Sequence, residues 1–103
     1  MVVAEISVVP IGTASTGLSR YIAQAIEVLD ISGLKYQITP MGTVIEGDLE
    51  EVIEVCRKMH ESLFTNPEIK RVLTTIKIDD RRNKKSEMEE KVRSVEKQLT
   101  LKS

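Results

Sequence analysis

The chain has 103 residues, 15 Lys and Arg against 16 Asp and Glu, and 41% hydrophobic residues, which is typical of one folded domain. A formal charge of −1 argues against a disordered polyelectrolyte and against a general polyanion binder. A single cysteine, Cys56, and a single histidine, His60, exclude an internal disulfide and a zinc or iron–sulfur site built from Cys and His. No apolar run approaches the ~20 residues of a membrane span, and the N-terminus lacks a basic, apolar signal segment. We therefore expect a cytoplasmic protein without a membrane partner.

The first third of the chain predicts a strand and a helix. Residues 2–9 are rich in β-branched side chains and run into a Pro-Ile-Gly turn, as a strand does at its end. Ser15 or Thr16 can cap the helix that follows, and Gly33 ends it. The apolar residues of this helix recur three and four positions apart and are Leu18, Ile22, Ala25, Ile26 and Leu29.

The middle of the chain predicts a hairpin and a second helix. Residues 35–39 and 43–46 are short strands on either side of a Pro-Met-Gly turn, in which we expect Gly42 to take a positive φ. Asp48 stands three residues before Glu51, the spacing of a capping box, and so opens the helix that Asn66-Pro67 terminates. The expected apolar stripe of this helix is Leu49, Val52, Ile53, Cys56, Met59 and Leu63.

The last third predicts a strand and an exposed helix. Residues 71–79 alternate between apolar and polar side chains, which indicates a fourth strand. Residues 83–101 carry a narrow apolar seam among charges, which indicates a solvent-exposed helix. The seam consists of Met88, Val92, Val95 and Leu99.

The element order βαββαβ predicts an α+β, ferredoxin-like fold: one antiparallel sheet with two helices on one face, plus a C-terminal helix. We expect residues 1–80 to form this sandwich and residues 81–103 to be a basic helical extension of the same domain. The period of two along a strand places one set of side chains under the helices: Ala4, Ile6, Val8, Tyr36, Ile38, Ile45, Val72, Ile76 and Ile78. The other set faces away from the helices: Val3, Glu5, Ser7, Val9, Gln37, Thr39, Val44, Glu46, Leu73, Thr75 and Lys77.

This second face is too apolar for plain solvent surface and too polar for a core, so we expect it to meet another subunit or to hold a polar ligand. Glu5 and Glu46 are unusual on central strands. They either contact a ligand or belong to a structural salt network between subunits, with Lys77 as one partner.

Three further features each have a plain structural interpretation. The small, hydroxyl-rich loop 10–17 precedes a helix N-terminus, where an anion can bind; the alternative interpretation is a simple strand-to-helix turn. His60 has no acid–base partner near it in sequence, so a structural role is favoured over a catalytic one.

Residues 81–103 carry a net charge of +4 against −5 for residues 1–80. Without interleaved aromatics, this basic segment favours a solvated helix start or a clamp on an acidic neighbouring subunit over nucleic-acid binding.

Four stretches together resemble the small thiamine-binding-protein family: SVVPIGT at 7–13, SGLKY at 32–36, PMGTVIEG at 40–47 and KIDDR at 77–81. The resemblance spans nearly the whole chain, and the PMGTxIEG element is its most specific part. It implies a ferredoxin-like fold, two open sheet faces stacked into a homodimer, and dimers paired into a homotetramer. It also implies binding of thiamine or its hydroxymethylpyrimidine moiety without turnover. The family's sheet and loop motifs fall on Ser7, Gly12, Thr13, Thr43 and Glu46.

These expectations describe a non-enzymatic homo-oligomer that has thiamine as a possible ligand and no other cofactor, metal or nucleic acid. Glu46 would accept a hydrogen bond from an amino group, while Ser7, Thr13 and Thr43 would supply hydroxyl contacts and Gly12 a close backbone approach. The alternative is a structural or regulatory module whose open face does nothing except oligomerise.

Overall fold

The computed structural model describes residues 1–13, 17–82 and 92–100. Four antiparallel strands form one sheet in the order β2-β3-β1-β4, so β1 and β3 are central. Two helices cover one face of this sheet. The elements are β1 (Val2–Pro10), α1 (Ser19–Ser32), β2 (Lys35–Thr39), β3 (Gly42–Gly47), α2 (Leu49–Ser62), a 3₁₀ turn (Leu63–Thr65), β4 (Val72–Asp80) and the helical residues 92–100, called α3. The predicted α+β, ferredoxin-like topology is confirmed.

Strict alternation along β1 separates the two faces of the sheet. Every second residue from Val2 to Pro10 is buried, and the residues between them are partly or fully exposed. β3 alternates in the same way, with Ile45 fully buried between its neighbours Val44 and Glu46. The face opposite the helices, called the open face below, is therefore accessible along both central strands.

The helices bury faces slightly different from the predicted ones. On α1, Tyr21 is buried and Ile22 is exposed, and on α2, Val55 is buried and Ile53 is exposed. The predictions for Ile22 and Ile53 were therefore wrong. Both helices are amphipathic, but the buried face of each is rotated relative to the predicted stripe. Tyr21 and Val55 therefore point toward the sheet and fill the core.

The helix layer leaves part of the outer strand β4 exposed. Ile76 and Ile78 lie on the helix side, because they pair with the buried Ile6 and Ala4 of β1, yet both are exposed. The sequence predicted the face of these two residues correctly, but the prediction that the helices cover them is wrong. The same holds for Ile38 of β2, which is 60% exposed. β4 is an edge strand, and α2 leaves Ile76 and Ile78 exposed although it runs beside the strand.

The predicted helix boundaries are mostly confirmed. Gly33 ends α1 in the left-handed conformation, and Asp48 precedes α2 with an extended backbone. Asp48 makes no side-chain capping bond, so the capping-box bond is not formed, although its carbonyl accepts from the Val52 N–H. Leu18 occupies the N-cap position of α1. The predicted caps Ser15 and Thr16 lie outside the described residues.

Residues 92–100 are helical, and each of them is exposed. Met88 and the start of the predicted C-terminal helix lie outside the described residues. The division of the chain at residue 80 stays a prediction.

Candidate functional site

Glu46 lies on the open face, near the end of the sheet where β1 begins. It pairs with Val3 on β1 and with Lys35 on β2. Lys35 Nζ is 3.5 Å from the Glu46 carboxylate, whose side chain is 40% exposed. Because the lysine side chain is itself largely exposed, this ion pair is weak and the carboxylate remains available to another partner.

A shallow concavity of about 380 Å³ surrounds this carboxylate. Val3 and Val44 give it an apolar floor, and Lys35 and Gln37 add polar groups at its edge. Sites for small organic ligands have this mixture of apolar lining and few polar groups, with volumes of about 300–1,000 Å³. Lys35 was not among the predicted site residues. Its place opposite Glu46 follows from the hairpin register, which alternation alone does not give.

Glu5 is the second carboxylate of the open face. It lies directly opposite Val44 on β3 and Lys77 on β4. Glu5 and Glu46 are therefore diagonal neighbours rather than a facing pair. Within one chain, Lys77 is the cross-strand neighbour of Glu5, while Lys35 is that of Glu46.

A second cavity, of about 230 Å³, lies at the opposite end of the sheet, between α1 and the β2–β3 hairpin. Here β1 continues past the end of β3, since Ser7 and the residues after it pair only with β4. Ser7 and Thr43 both border this cavity. The remaining lining is mainly apolar and includes Ile6, Ile22 and Met59.

The five predicted site residues do not form one cluster within the chain. Ser7 and Glu46 share the open face, but Ser7 stands four positions from Val3, the residue opposite Glu46, which is about 13 Å along the strand. Thr43 is only 6% exposed and faces the helices, because it pairs with the buried Ile6. Gly12 and Thr13 follow β1 at the hairpin end, where Gly12 has a φ of +78°.

His60 and Cys56 lie on the helix side of the sheet. His60 Nδ1 is 2.6 Å from the Thr74 hydroxyl of β4, and its ring packs edge-on against Phe64. Cys56 is buried in the core, and this burial raises the pKa of its thiol to about 11. The contacts of His60 and the burial of Cys56 both fit the structural roles that the sequence predicted. A buried thiol that resists ionisation is also a poor nucleophile.

The basic segment after β4 begins with two ion pairs. Arg81 binds Asp79 and Arg82 binds Asp80, so each arginine pairs with the aspartate two positions before it. Lys84 and Lys85 lie outside the described residues.

Across residues 1–13, 17–82 and 92–100, no three His, Cys, Asp or Glu side chains gather closely enough to hold a metal ion. In the same part of the chain, no helix has the length and apolar character needed to cross a membrane.

The model of the family described as "Thiamine-binding protein" matches residues 4–96. The chain belongs to the thiamine-binding protein family. Among its relatives, the UPF0045 protein YqgV of Bacillus subtilis is 41% identical, over 96% of this chain and 98% of that protein. A UPF0045 protein of Methanothermobacter thermautotrophicus is 42% identical, over 96% of this chain and all of its own length.

Solved structures share the fold of this thiamine-binding family member. A hypothetical protein of Methanocaldococcus jannaschii superposes with a TM-score of 0.74 at 36% identity, over 91% of this chain and 94% of that one. A Thermotoga maritima protein, assigned provisionally to thiamine biosynthesis or salvage, gives a TM-score of 0.68 at 30% identity, over 77% and 82% of the two chains. The names thiamine-binding protein and UPF0045 do not indicate a catalytic function.

Proposed function

We propose that this protein binds thiamine, or its hydroxymethylpyrimidine moiety, without turnover, and that it does so as a homo-oligomer with no other cofactor. The observation that carries the proposal is the Glu46 concavity in a member of the thiamine-binding family. Its volume is in the range of small-ligand sites, and among the described residues its carboxylate is paired with one exposed lysine.

The chemistry of the ligand matches the groups around Glu46. An aminopyrimidine presents an exocyclic amino donor, and an ionised carboxylate is an acceptor that makes a charge-assisted bond with such a group. The flat ring can lie on the apolar floor formed by Val3 and Val44. Thiamine also carries a thiazolium cation, which negative charge on the same face attracts.

The open face also supports the proposed assembly. It exposes Val3 and Leu73 among polar groups, and large apolar side chains on such a face are usually covered by another subunit. Ser7 stands too far from Glu46 for one pyrimidine ring to contact both within one chain, so its hydroxyl would come from the second subunit. Gly12 and Thr13 lie at the hairpin end, and any contact they make would be with another part of the ligand. Thr43 faces the helices, so only a group that enters the cavity beside α1 would contact it.

Two observations support binding rather than turnover. Cys56 is buried with a raised pKa, and His60 is bonded to Thr74 on the side of the sheet opposite Glu46. Neither the thiol nor the imidazole can reach a ligand on the open face, so these two groups cannot act as a nucleophile–base pair there.

Calorimetric titration of the purified protein with thiamine tests the proposal. We expect saturable binding of thiamine and of the free hydroxymethylpyrimidine, and recovery of both compounds unchanged after incubation. If thiamine, its phosphates and the free pyrimidine all give no heat and no shift in melting temperature, the alternative of a module that only oligomerises is favoured. Recovery of a cleaved or modified compound would contradict binding without turnover.

His60→Ala tests the structural role of the sole histidine. Because the imidazole lies on the helix side, we expect thiamine affinity to stay within experimental error of the unsubstituted protein. Stability should fall by about 1 kcal/mol, since the bond to Thr74 is lost. Calorimetry and urea unfolding on the same variant measure the two effects. An affinity loss greater than tenfold in a folded variant, about 1.4 kcal/mol, would reopen a role in the site.

A further inference from the structure

The cavity of about 230 Å³ beside α1 borders a section of β1 that has a strand on one side only. We call it the hairpin cavity; it is lined by residues 6–9 of β1, residues 38–43 of the β2–β3 hairpin and apolar side chains of α1 and α2. β3 pairs with β1 only as far as Ile6, whose partner is Thr43. β1 continues to Pro10 with β4 alone beside it. One edge of residues 7–10 is therefore left without a neighbouring strand.

The backbone groups of Val8 point to this free edge. In an antiparallel sheet, successive residues of a central strand direct their N–H and C=O groups alternately to the two neighbouring strands. Ile11, just after β1, donates its N–H to the backbone just before β4. The carbonyl oxygen of Ile6 instead lies beside Gly42, at the start of β3. Odd-numbered residues of β1 therefore bond to β4, and even-numbered residues face β3 or, at Val8, the hairpin cavity.

The N–H and C=O of Val8 have no strand partner. Continuing the register would place Met41 opposite Val8, but Met41 lies in the turn, is 80% exposed and donates its N–H to the Thr39 hydroxyl. Within residues 1–13, 17–82 and 92–100, no backbone hydrogen bond outside the strand ladders involves Val8. Val8 is itself buried, and an unpaired backbone donor and acceptor in a buried place are costly. A partner for both groups has to come from the cavity.

The Thr43 hydroxyl is a third polar group of the hairpin cavity. Thr43 is 6% exposed and lines the cavity. In the described part of the chain its hydroxyl makes no hydrogen bond, and no side-chain oxygen there is both sealed from solvent and unbonded. The Thr43 oxygen is therefore accessible from the cavity. A hydroxyl can donate and accept, so it can bond to either kind of group on a ligand.

The rest of the lining determines which ligands fit. Among the described residues no charged side chain lines the cavity, so an ionised ligand would lose hydration without gaining a counter-ion. The volume is below the ~300–1,000 Å³ of sites for drug-sized molecules, which favours a single ring. Ile22 and Met59 provide apolar walls for the faces of such a ring.

The edge of the ring has to complement a backbone N–H and C=O that lie side by side. A lactam (O=C–N–H) and an amino-substituted azine (N=C–N–H) both carry an acceptor and a donor on one carbon atom. Either edge can therefore accept from the N–H of Val8 and donate to its C=O. Main-chain groups at a free strand edge bind added strands in the same way.

We propose that the hairpin cavity binds a small uncharged ring with a lactam or amino-azine edge, held by the backbone of Val8 and the hydroxyl of Thr43. The ring takes the place that a further residue of β3 would occupy. Glu46 borders the other concavity, at the opposite end of the sheet. The hairpin cavity is thus a separate site, and the proposal does not depend on thiamine binding on the open face.

Nuclear magnetic resonance titration of the full chain with uracil, and separately with 2-aminopyrimidine, tests this site. We expect at least one probe to shift the Val8 amide resonance saturably, with a Kd of about 1 mM or tighter. A response to uracil assigns the lactam edge, and a response to 2-aminopyrimidine assigns the amino-azine edge. If neither probe moves the Val8 resonance at about 10 mM, the proposal is overturned.

The matched probe is 1,3-dimethyluracil, which keeps the ring and both carbonyl groups of uracil but has no N–H. We expect it to bind at least about tenfold more weakly than uracil, because the C=O of Val8 then stays unpaired. If the two compounds shift the Val8 resonance equally, the cavity is filled without use of the strand edge and the proposal fails.

Thr43→Val tests the hydroxyl, since it removes the oxygen and keeps the shape of the side chain. We expect probe affinity to fall by about three- to tenfold. Thr75→Val makes the same change at an exposed position of β4 and should leave probe affinity unchanged. Equal affinity in Thr43→Val and the unsubstituted protein would contradict the assigned role of Thr43.

The same spectra separate this proposal from thiamine binding on the open face. Saturable probe binding at Val8, without any binding of thiamine, would support the hairpin cavity and contradict the thiamine proposal. The reverse outcome is a thiamine response at Val3 and Glu46 with no probe response at Val8. That result would overturn the hairpin-cavity proposal and leave the thiamine proposal standing.

Discussion

Glu46→Gln is expected to weaken thiamine binding by about 10- to 150-fold while leaving the oligomer assembled. The substitution keeps the shape of the side chain, replaces one acceptor oxygen by a donor and removes the charge. Loss of a charge-assisted hydrogen bond costs about 1.5–3 kcal/mol. Folding should change by less than about 1 kcal/mol, because the ion pair with Lys35 is exposed. Calorimetry and native mass spectrometry on the same variant measure affinity and assembly.

Glu5→Gln is the matched control, since Glu5 is the other carboxylate of the open face and lies opposite Lys77. We expect it to bind thiamine almost as well as the unsubstituted protein. If Glu5→Gln loses affinity and Glu46→Gln does not, the ligand lies against Glu5 and Ser7 instead. If Glu46→Gln dissociates the oligomer first, Glu46 belongs to a salt network between subunits.

The strands and their order could be predicted because local signals were consistent with one another. The turn residues Pro10 and Gly42 mark strand ends, and β-branched alternation marks both faces of β1. Once the order βαββαβ was fixed, the right-handed crossover rule left one arrangement of the four strands. These signals depend on residues that are close in sequence, so they can be interpreted without knowledge of tertiary contacts.

The helix faces were harder to predict, because α1 and α2 carry more apolar residues than one face can bury. Ile53 and Val55 lie about 200° apart around α2, on the two flanks of its buried stripe, and packing above the sheet decides which flank is covered. The partial cover over Ile76 and Ile78 has a similar origin. Alternation gives the face of a strand, but not whether a helix extends over it.

The separation of the site residues could have been found from strand parity. Thr43 is two positions from Ile45, which the sequence already placed under the helices, so its side chain had to share that face. The family motif groups Thr43 with Glu46 because they are close in sequence, whereas the pleat sends them to opposite faces. The pairing of Glu46 with Lys35 required the hairpin register, which depends on the exact turn at Thr39 and Gly42.

Gly42→Ala is expected to destabilise the fold by about 2 kcal/mol, because the turn presses the glycine against the central strand. The φ of Gly42 is +158°, and an added Cβ would lie 2.9 Å from the backbone oxygen of Ile6 and 3.2 Å from Glu5 Cγ. The oxygen belongs to the paired strand β1, so it cannot retreat without disturbing the sheet; such local strain costs about 1–3 kcal/mol. Urea unfolding monitored by circular dichroism measures the change in free energy.

Gly12→Ala is the matched control for Gly42→Ala. Gly12 has a left-handed φ of +78°, but nothing lies within 4 Å of the position that a Cβ would take. It should therefore cost only the backbone preference, about 1 kcal/mol, while both substitutions restrict the unfolded chain equally. A Gly42→Ala variant that is no less stable than Gly12→Ala would show that the hairpin can move away from β1. The register that sets Glu46 opposite Lys35 would then not depend on this close approach, and the open-face concavity would be less rigid than the packing of Gly42 implies.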